Sequence, residues 1–280
     1  MTERWIHEVH RGDASFGLRV TSFVHAEVSP HQRIEIVETA ALGRVLVLDG
    51  VFQTAERDER AYHELLAHPA LCAARSIARV LVIGGGDGGT AREVLRHPEV
   101  ERCVMVEIDR AVVEACRAHL PSIGGSAWSD PRLEVRFEDG ARFVRECRER
   151  FDVVILDGSD PIGPSAGLFG RALYEDVRRL VGDDGLFALQ TESPAIDLAL
   201  FLEMQGALRA SFERVHPYFG AVYLYAAGLF SWTVASGVTD PRAPRPARVA
   251  AIEAGCAHYD AEVHRAAFAA PPFVRRRLAR

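Results

Sequence analysis

Short apolar runs alternate with helix-period segments over most of this chain. The runs at 79–83 (RVLVI), 103–106 (CVMV), 133–137 (LEVRF), 151–156 (FDVVIL) and 186–190 (LFALQ) have strand length and β-branched content. Between and after them, 90–96, 110–120, 141–149, 172–180 and 195–212 carry apolar residues at helical spacing. Strands and helices alternating at this interval predict a parallel sheet with helices on both faces, an α/β doubly wound fold. The first 55 residues differ. Runs at 34–37, 44–48 and 51–53 read as short strands, with Asp49-Gly50 as a tight-turn signal between the last two. A small antiparallel β domain over 1–55 followed by an α/β domain over 56–280 is the expected organisation. The switch to helical period comes at Asp58, where Tyr62, Leu65 and Leu66 share a face. The run 221–236 suits two antiparallel strands, 241–248 a proline-rich loop, and 263–268 a last helical piece.

Composition narrows the function. With 280 residues and 48% hydrophobic content the chain can bury a substantial core. A net charge of −6, without a basic stripe carrying aromatics, argues against nucleic acid as a partner. All 33 basic residues are arginine, which excludes Schiff-base chemistry and a P-loop lysine. The five cysteines (72, 103, 116, 147 and 256) are odd in number and lack metal-ligand spacing, so no metal is expected and free thiols in a reducing cytosol are. No run reaches membrane-helix length and the N-terminus has no signal-like segment, so a cytoplasmic protein without a membrane partner is expected.

Candidate chemistry lies in two glycine-rich loops that each contain aspartate. VLVIGGGDGG ends at Gly89 with Asp87 inside the turn, and DGSDPIGP runs from Asp157 to Pro164. Both follow a strand, where an α/β sheet holds its ligand. Gly84, Gly86 and Gly89 allow backbone amides to approach a nucleotide. Glu107, at the end of the next strand, stands where a ribose diol is held, whereas neighbouring Asp109 suits a helix cap. Asp139-Gly140 fits the adenine edge and an N-cap equally well. Asp87 would repel the pyrophosphate of a dinucleotide or the carboxylate of intact S-adenosylmethionine, and would favour a ligand tail ending in an ammonium. Asp157 and Asp160 add carboxylates suited to amine recognition or general-base work. On the helix entering the α/β domain, Tyr62 faces either the cleft or the core. His63 and Glu64 are expected in solvent, and Tyr223 and Tyr225 as strand packing.

Taken together, GRVLVLDGVFQTAERDERAYHELLAHPAL, the GGGDGG and VMVEID segments, FDVVILDGSDPIGPSAGLF, GLFALQTESP and YDAEVHRAAFAAPPFV resemble the polyamine aminopropyltransferases, the spermidine synthase family. The resemblance spans about Gln32 to Phe273. It implies a Rossmann-like methyltransferase-type domain behind a small β domain. It also implies transfer of an aminopropyl group from decarboxylated S-adenosylmethionine, a co-substrate rather than a cofactor, to a small-molecule amine, releasing methylthioadenosine. By matching position, the nucleoside would meet Gln32, Gly84, Gly86, Glu107, Asp139, Gly140 and Pro164. Asp87 would grip the aminopropyl ammonium and Asp157 would accept the proton of the attacking amine. Tyr62, His63, Asp160 and Tyr225, with Asp87 and Asp157, would line the acceptor site, and the loop 157–169 would form a gate. Two departures fall on the acceptor side: Gly158 stands where many members have serine or threonine, and HPYFGAVYLYAAG lacks the usual Pro-Thr-Tyr run. Putrescine is the expected acceptor, with agmatine, cadaverine or a triamine as alternatives. A methyltransferase, a non-catalytic binding protein and a nicotinamide dehydrogenase follow in that order. A homodimer or homotetramer is implied by the resemblance alone.

Overall fold

The computed structural model describes residues 4–10, 12, 14–159, 167–225 and 228–279. Five strands pair antiparallel in chain order: β1 (Arg4–His10), β2 (Ala14–Val28), β3 (Arg33–Thr39), β4 (Gly43–Leu48) and β5 (Val51–Ala55). Asp49 and Gly50 both take positive φ, 49° and 85°, as a two-residue hairpin requires, and Leu48 pairs with Val51 across them. The long β2 was not resolved by the hydrophobic pattern. Its register against β3 shifts between Val20 and Ser22 and again between Phe23 and His25, so no single alternation runs its length.

The second sheet contains β6 (Arg79–Gly84), β7 (Arg102–Glu107), β8 (Leu133–Phe137), β9 (Val153–Asp157), β10 (Leu186–Gln190), β11 (Arg214–Val222) and β12 (Gly228–Ser236) in the order β11-β12-β10-β9-β6-β7-β8. Strands β6 to β10 pair in parallel, and β12 runs antiparallel to both β10 and β11. Both faces are covered, which is why the strands read as continuous apolar runs. In β6, Val80 and Val82 join the core containing Leu66 and Ala70 of α1 (Glu59–Ala73), while Leu81 and Ile83 join a separate core with Phe143 and Tyr174.

The connecting helices are α2 (Gly89–Leu95), α3 (Arg110–His119), a short α4 (Pro121–Gly124), α5 (Gly140–Glu146), α6 (Arg171–Val181) and α7 (Leu198–Ser211). Two are shorter than expected. The helix read over 195–212 starts at Leu198 because Asp197 caps it, its Oδ1 accepting from the Leu200 amide at 2.9 Å. The helix read over 141–149 stops at Glu146, where Cys147 turns extended. Short helices α8 (Pro246–Ala250), α9 (Ala261–Ala267) and α10 (Pro272–Leu278) complete the chain; α9 overlaps the helical piece read over 263–268, and α10 follows it. Among the described residues no helix is long and apolar enough to cross a membrane.

Candidate active site

The strand order reverses between β6 and β9. From β6 the chain moves outward to β7 and β8, then returns to β9 on the other side. The carboxyl ends of β6 and β9 therefore frame the crevice where doubly wound sheets bind ligands. Gly84 pairs with Asp157 across that point, and the Gly85 amide donates to the Asp157 carbonyl at 2.9 Å. Gly84 holds φ +82°, and a Cβ there would collide with the Asp157 carbonyl oxygen. The two aspartate loops are thus locked to each other by backbone contact that only glycine allows.

A cavity of about 360 Å³ opens here, between the two sheets. Its nucleoside-like end is lined by Gln32, Gly84, Gly86, Glu107, Asp139 and Gly140. Glu107 Oε1 accepts from the Asp109 amide at 2.9 Å, and the space beside Gly86 falls 3.1 Å from Glu107 Oε2. Burial, reinforced by Asp109 and only partly offset by the Asp109 and Ile108 amides, pushes the Glu107 carboxyl up to about 7. Asp109 caps α3 as expected, accepting from the Ala111 amide at 3.1 Å. Its other oxygen accepts from Ser29 Oγ at 2.6 Å and Gln32 Nε2 at 3.0 Å, which fastens the β2–β3 turn to the rim. Asp139 caps α5, its Oδ1 accepting from the Arg142 amide at 2.9 Å, and the residue also lines the cavity.

The other end is built on α1 and the two loops. Tyr62 donates from its hydroxyl to Asp157 Oδ1 at 3.0 Å. Its ring packs edge-on against Tyr225, with centroids 5.7 Å apart. Tyr225 lines the cavity and donates to the Gln53 carbonyl at 2.8 Å, whereas Tyr223 is 61% exposed, so Tyr225 is the tyrosine that the fold brings to the site. The turn carrying it is held by Asp58, which accepts from the Leu224 amide at 2.8 Å. The expectation that His63 and Glu64 are solvated is wrong. His63 is 1% exposed and Glu64 fully buried, because α1 is covered by the second sheet, α2 and the C-terminal segment. Glu64 accepts from the amides of Ala257 and His258, at 2.9 and 2.7 Å. His63 Nε2 lies 3.3 Å from Asp87 Oδ2, and Gly89 donates its amide to Asp87 Oδ1 at 2.8 Å.

The two partly buried aspartates shift in opposite directions. Burial raises both, but at Asp87 the His63 charge, its hydrogen bond and the Gly89 amide outweigh it and hold the carboxyl below its usual range. At Asp157 burial and the neighbouring Asp87 charge win over His63 and the Tyr62 hydroxyl, leaving the group raised. Burial and Asp157 push the Tyr62 phenol well up, so it stays a donor. An ionised carboxylate beside a more basic one suits a site with one permanent cation to hold and one proton to accept.

Asp160 and Pro164 lie outside the described residues. The cavity also brings in residues that motif reading did not single out, namely Glu8, Gln190, Glu192 and Asp197. Glu8 comes from β1 and accepts from the Phe52 amide at 2.8 Å, a link that no local motif announces. Glu59 was missed as well, although its i,i+4 spacing to His63 is a legible signal. Beyond α1, His68 Nε2 lies 3.1 Å from Glu93 Oε2 and 3.4 Å from Cys256 Sγ. Glu93 accepts from Arg92 at 2.7 Å and from Arg96 at 2.7 and 3.1 Å, so its oxygens are committed to a buried ion network.

Known proteins match this architecture throughout. A family model described as the spermine/spermidine synthase domain covers residues 59–242, and one described as the spermidine synthase tetramerisation domain covers 4–56. The chain is 46% identical over 278 residues to a polyamine aminopropyltransferase of Prochlorococcus marinus (strain MIT 9313), covering 98% of this chain and 96% of the relative. Against a polyamine aminopropyltransferase of Caldicellulosiruptor bescii the identity is 41% over 272 residues, 97% of each. A crystal structure of spermidine synthase in complex with the transition-state analogue AdoDATO superposes with a TM-score of 0.95 at 36% identity, over 99% of this chain and 95% of that one. Spermidine synthase from Thermotoga maritima gives 0.92 at 35%, over 99% and 94%. The reversal of strand order, the paired aspartate loops and these full-length similarities converge: the chain belongs to the spermine/spermidine synthase family and is an aminopropyltransferase.

Proposed function

We propose that the enzyme transfers the aminopropyl group of decarboxylated S-adenosylmethionine to putrescine, forming spermidine and methylthioadenosine. The observation that carries this reading is the unequal pair of partly buried carboxylates, Asp87 and Asp157, at one switch point of the sheet. The sulfonium is already a good leaving group, so the protein's work is alignment and proton management. The donor's adenosine occupies the end lined by Gln32, Glu107, Asp139 and Gly140, with the ribose diol on Glu107. Its propylammonium extends to Asp87. An alkylammonium titrates near the lysine value of about 10.4. The acceptor must therefore lose a proton before its nitrogen can attack, and Asp157, held by the Tyr62 hydroxyl, receives it. The nitrogen lone pair then forms the C–N bond while the C–S pair returns to sulfur as the neutral thioether.

Two things support putrescine. Glu8, Glu192 and Asp197 line the far side of the cavity and give a second ammonium of a short diamine an acidic environment. The superposable structures are spermidine synthases. The match to the tetramerisation domain supports a homotetramer formed through the N-terminal sheet, which leaves Trp5, Phe23 and Val28 exposed in the single chain. The test is methylthioadenosine release from decarboxylated S-adenosylmethionine offered with putrescine, cadaverine, agmatine and spermidine. Fastest release with putrescine is expected. A preference for another amine would reassign the acceptor, and release with none would overturn the reading.

A further inference from the structure

His63 has a carboxylate on each ring nitrogen. Nε2 faces Asp87 Oδ2 at 3.3 Å, and Nδ1 faces Glu59 Oε2 at 2.8 Å. Neither carboxylate can donate while ionised, so both contacts are hydrogen bonds only if both nitrogens carry protons. Glu59 is itself fixed: Arg92 donates to Oε1 at 2.9 Å and to Oε2 at 2.8 Å. Glu59, His63 and Arg92 thus form a buried chain that starts outside the cavity and ends on Asp87.

We propose that Glu59 is a positioning residue for aminopropyl transfer, holding His63 as an imidazolium that aims Asp87 and sets how strongly Asp157 binds its proton. This rests on the roles given to Asp87 and Asp157 above. The charged and titratable groups around the His63 ring are Glu59, Arg60 and Tyr62 on α1, Arg92 on α2, Asp87 in the glycine turn and Asp157 at the end of β9. Burial opposes a charge on His63, yet Asp87 and Glu59 outweigh it and raise the imidazole well above its usual value. Glu59 is held low, burial being outweighed by His63 and Arg92, so the clamp stays ionised through neutral pH. Without the imidazolium, Asp87 and Asp157 face each other unscreened in a dry site. Asp157 and any bound ammonium would then hold their protons more tightly.

The sign of the test follows. Glu59→Gln keeps the shape but removes the charge that sustains His63, so the ring becomes neutral near pH 7. The acid limb of the pH–kcat profile, which belongs to Asp157 and the bound amine together, moves to higher pH by about one unit, on the order of a tenfold loss below it. Methylthioadenosine affinity should stay within about twofold, the contact being remote from the nucleoside end. His63→Gln should displace the limb in the same direction, and it serves as the readout if Glu59→Gln fails to fold. In the unmodified enzyme, ring-nitrogen NMR of His63 should report both nitrogens protonated at pH 7.5. A neutral ring there, or an unmoved limb in either variant with rate lost equally at every pH, would overturn the proposal and leave Glu59 a structural ion. Absence of turnover with any amine in the unmodified enzyme would instead count against the reaction assigned above.

Discussion

At the end of the cavity proposed to hold the nucleoside, Glu107 receives backbone amides and, among the described residues, no cation, and its carboxyl rises to about 7. At the end proposed to hold the amine, Asp87 is partly buried but sits against His63, which holds its carboxyl below the usual range. The contrast separates two tasks. A ribose diol is neutral and binds a carboxylate by donating to it, so that carboxylate can remain uncharged until the ligand arrives. An ammonium needs charge in place beforehand, and in a buried site that charge must be sustained by a partner. Asp157 stands between the two. It is raised like Glu107 and touches a donor, Tyr62, rather than a cation, which is the condition of a group meant to gain and lose a proton.

The largest expected effect falls on that intermediate group. Asp157→Asn should lower kcat by roughly 10²–10⁴ with methylthioadenosine affinity nearly intact. Single-turnover measurement with saturating donor and putrescine would check it, and an unchanged rate would remove the base role.

The nucleoside end should respond to pH in the sense opposite to a pre-ionised site. Below about 7 the free Glu107 carboxyl is protonated, and accepting two ribose hydroxyls requires it ionised, so binding releases a proton. Methylthioadenosine affinity should therefore rise up to about tenfold per unit as pH climbs towards 7, then level off. Calorimetry at pH 6, 7 and 8 in two buffers would detect the released proton, and Glu107→Gln should flatten the dependence. The smallest effect is expected at Gln32, whose amide is already engaged by Asp109. Gln32→Ala should weaken the nucleoside only a few-fold, by about 0.5–1.5 kcal/mol. A larger loss would mean that the β2–β3 turn itself is a principal part of the binding surface.

The same division governs what could be read before the structure. The alternation of apolar runs and helical segments announced the parallel sheet, and Gly84, Asp87, Glu107 and Asp157 were legible because glycine turns at strand ends carry local signatures. Asp109 and Asp139 were legible as caps for the same reason. Burial of α1 was not, because ERAYHELLAHP mixes charge and apolar residues and gives no hint that a sheet, α2 and the C-terminal segment cover it. His63 and Glu64 therefore read as solvent-facing, and the Glu59 clamp passed unnoticed. Tyr225 could not be told from Tyr223 by alternation, since a turn held by Asp58 rather than a strand decides which one turns inward. Glu8 is tied to this region by a side-chain hydrogen bond from the Phe52 amide, 44 residues away along the chain.

The central proposal is that Asp87 reads the donor's ammonium while Gln32, Glu107, Asp139 and Gly140 read its nucleoside. The direct measurement is calorimetric titration of unmodified enzyme and Asp87→Asn with decarboxylated S-adenosylmethionine and with methylthioadenosine. The two ligands share the nucleoside and differ in the charged tail. The account predicts that the substitution weakens the first on the order of a hundredfold, as loss of one partner of a buried charge pair does, and the second by only a few-fold. Equal weakening of both would contradict it and make Asp87 a structural brace of the glycine turn.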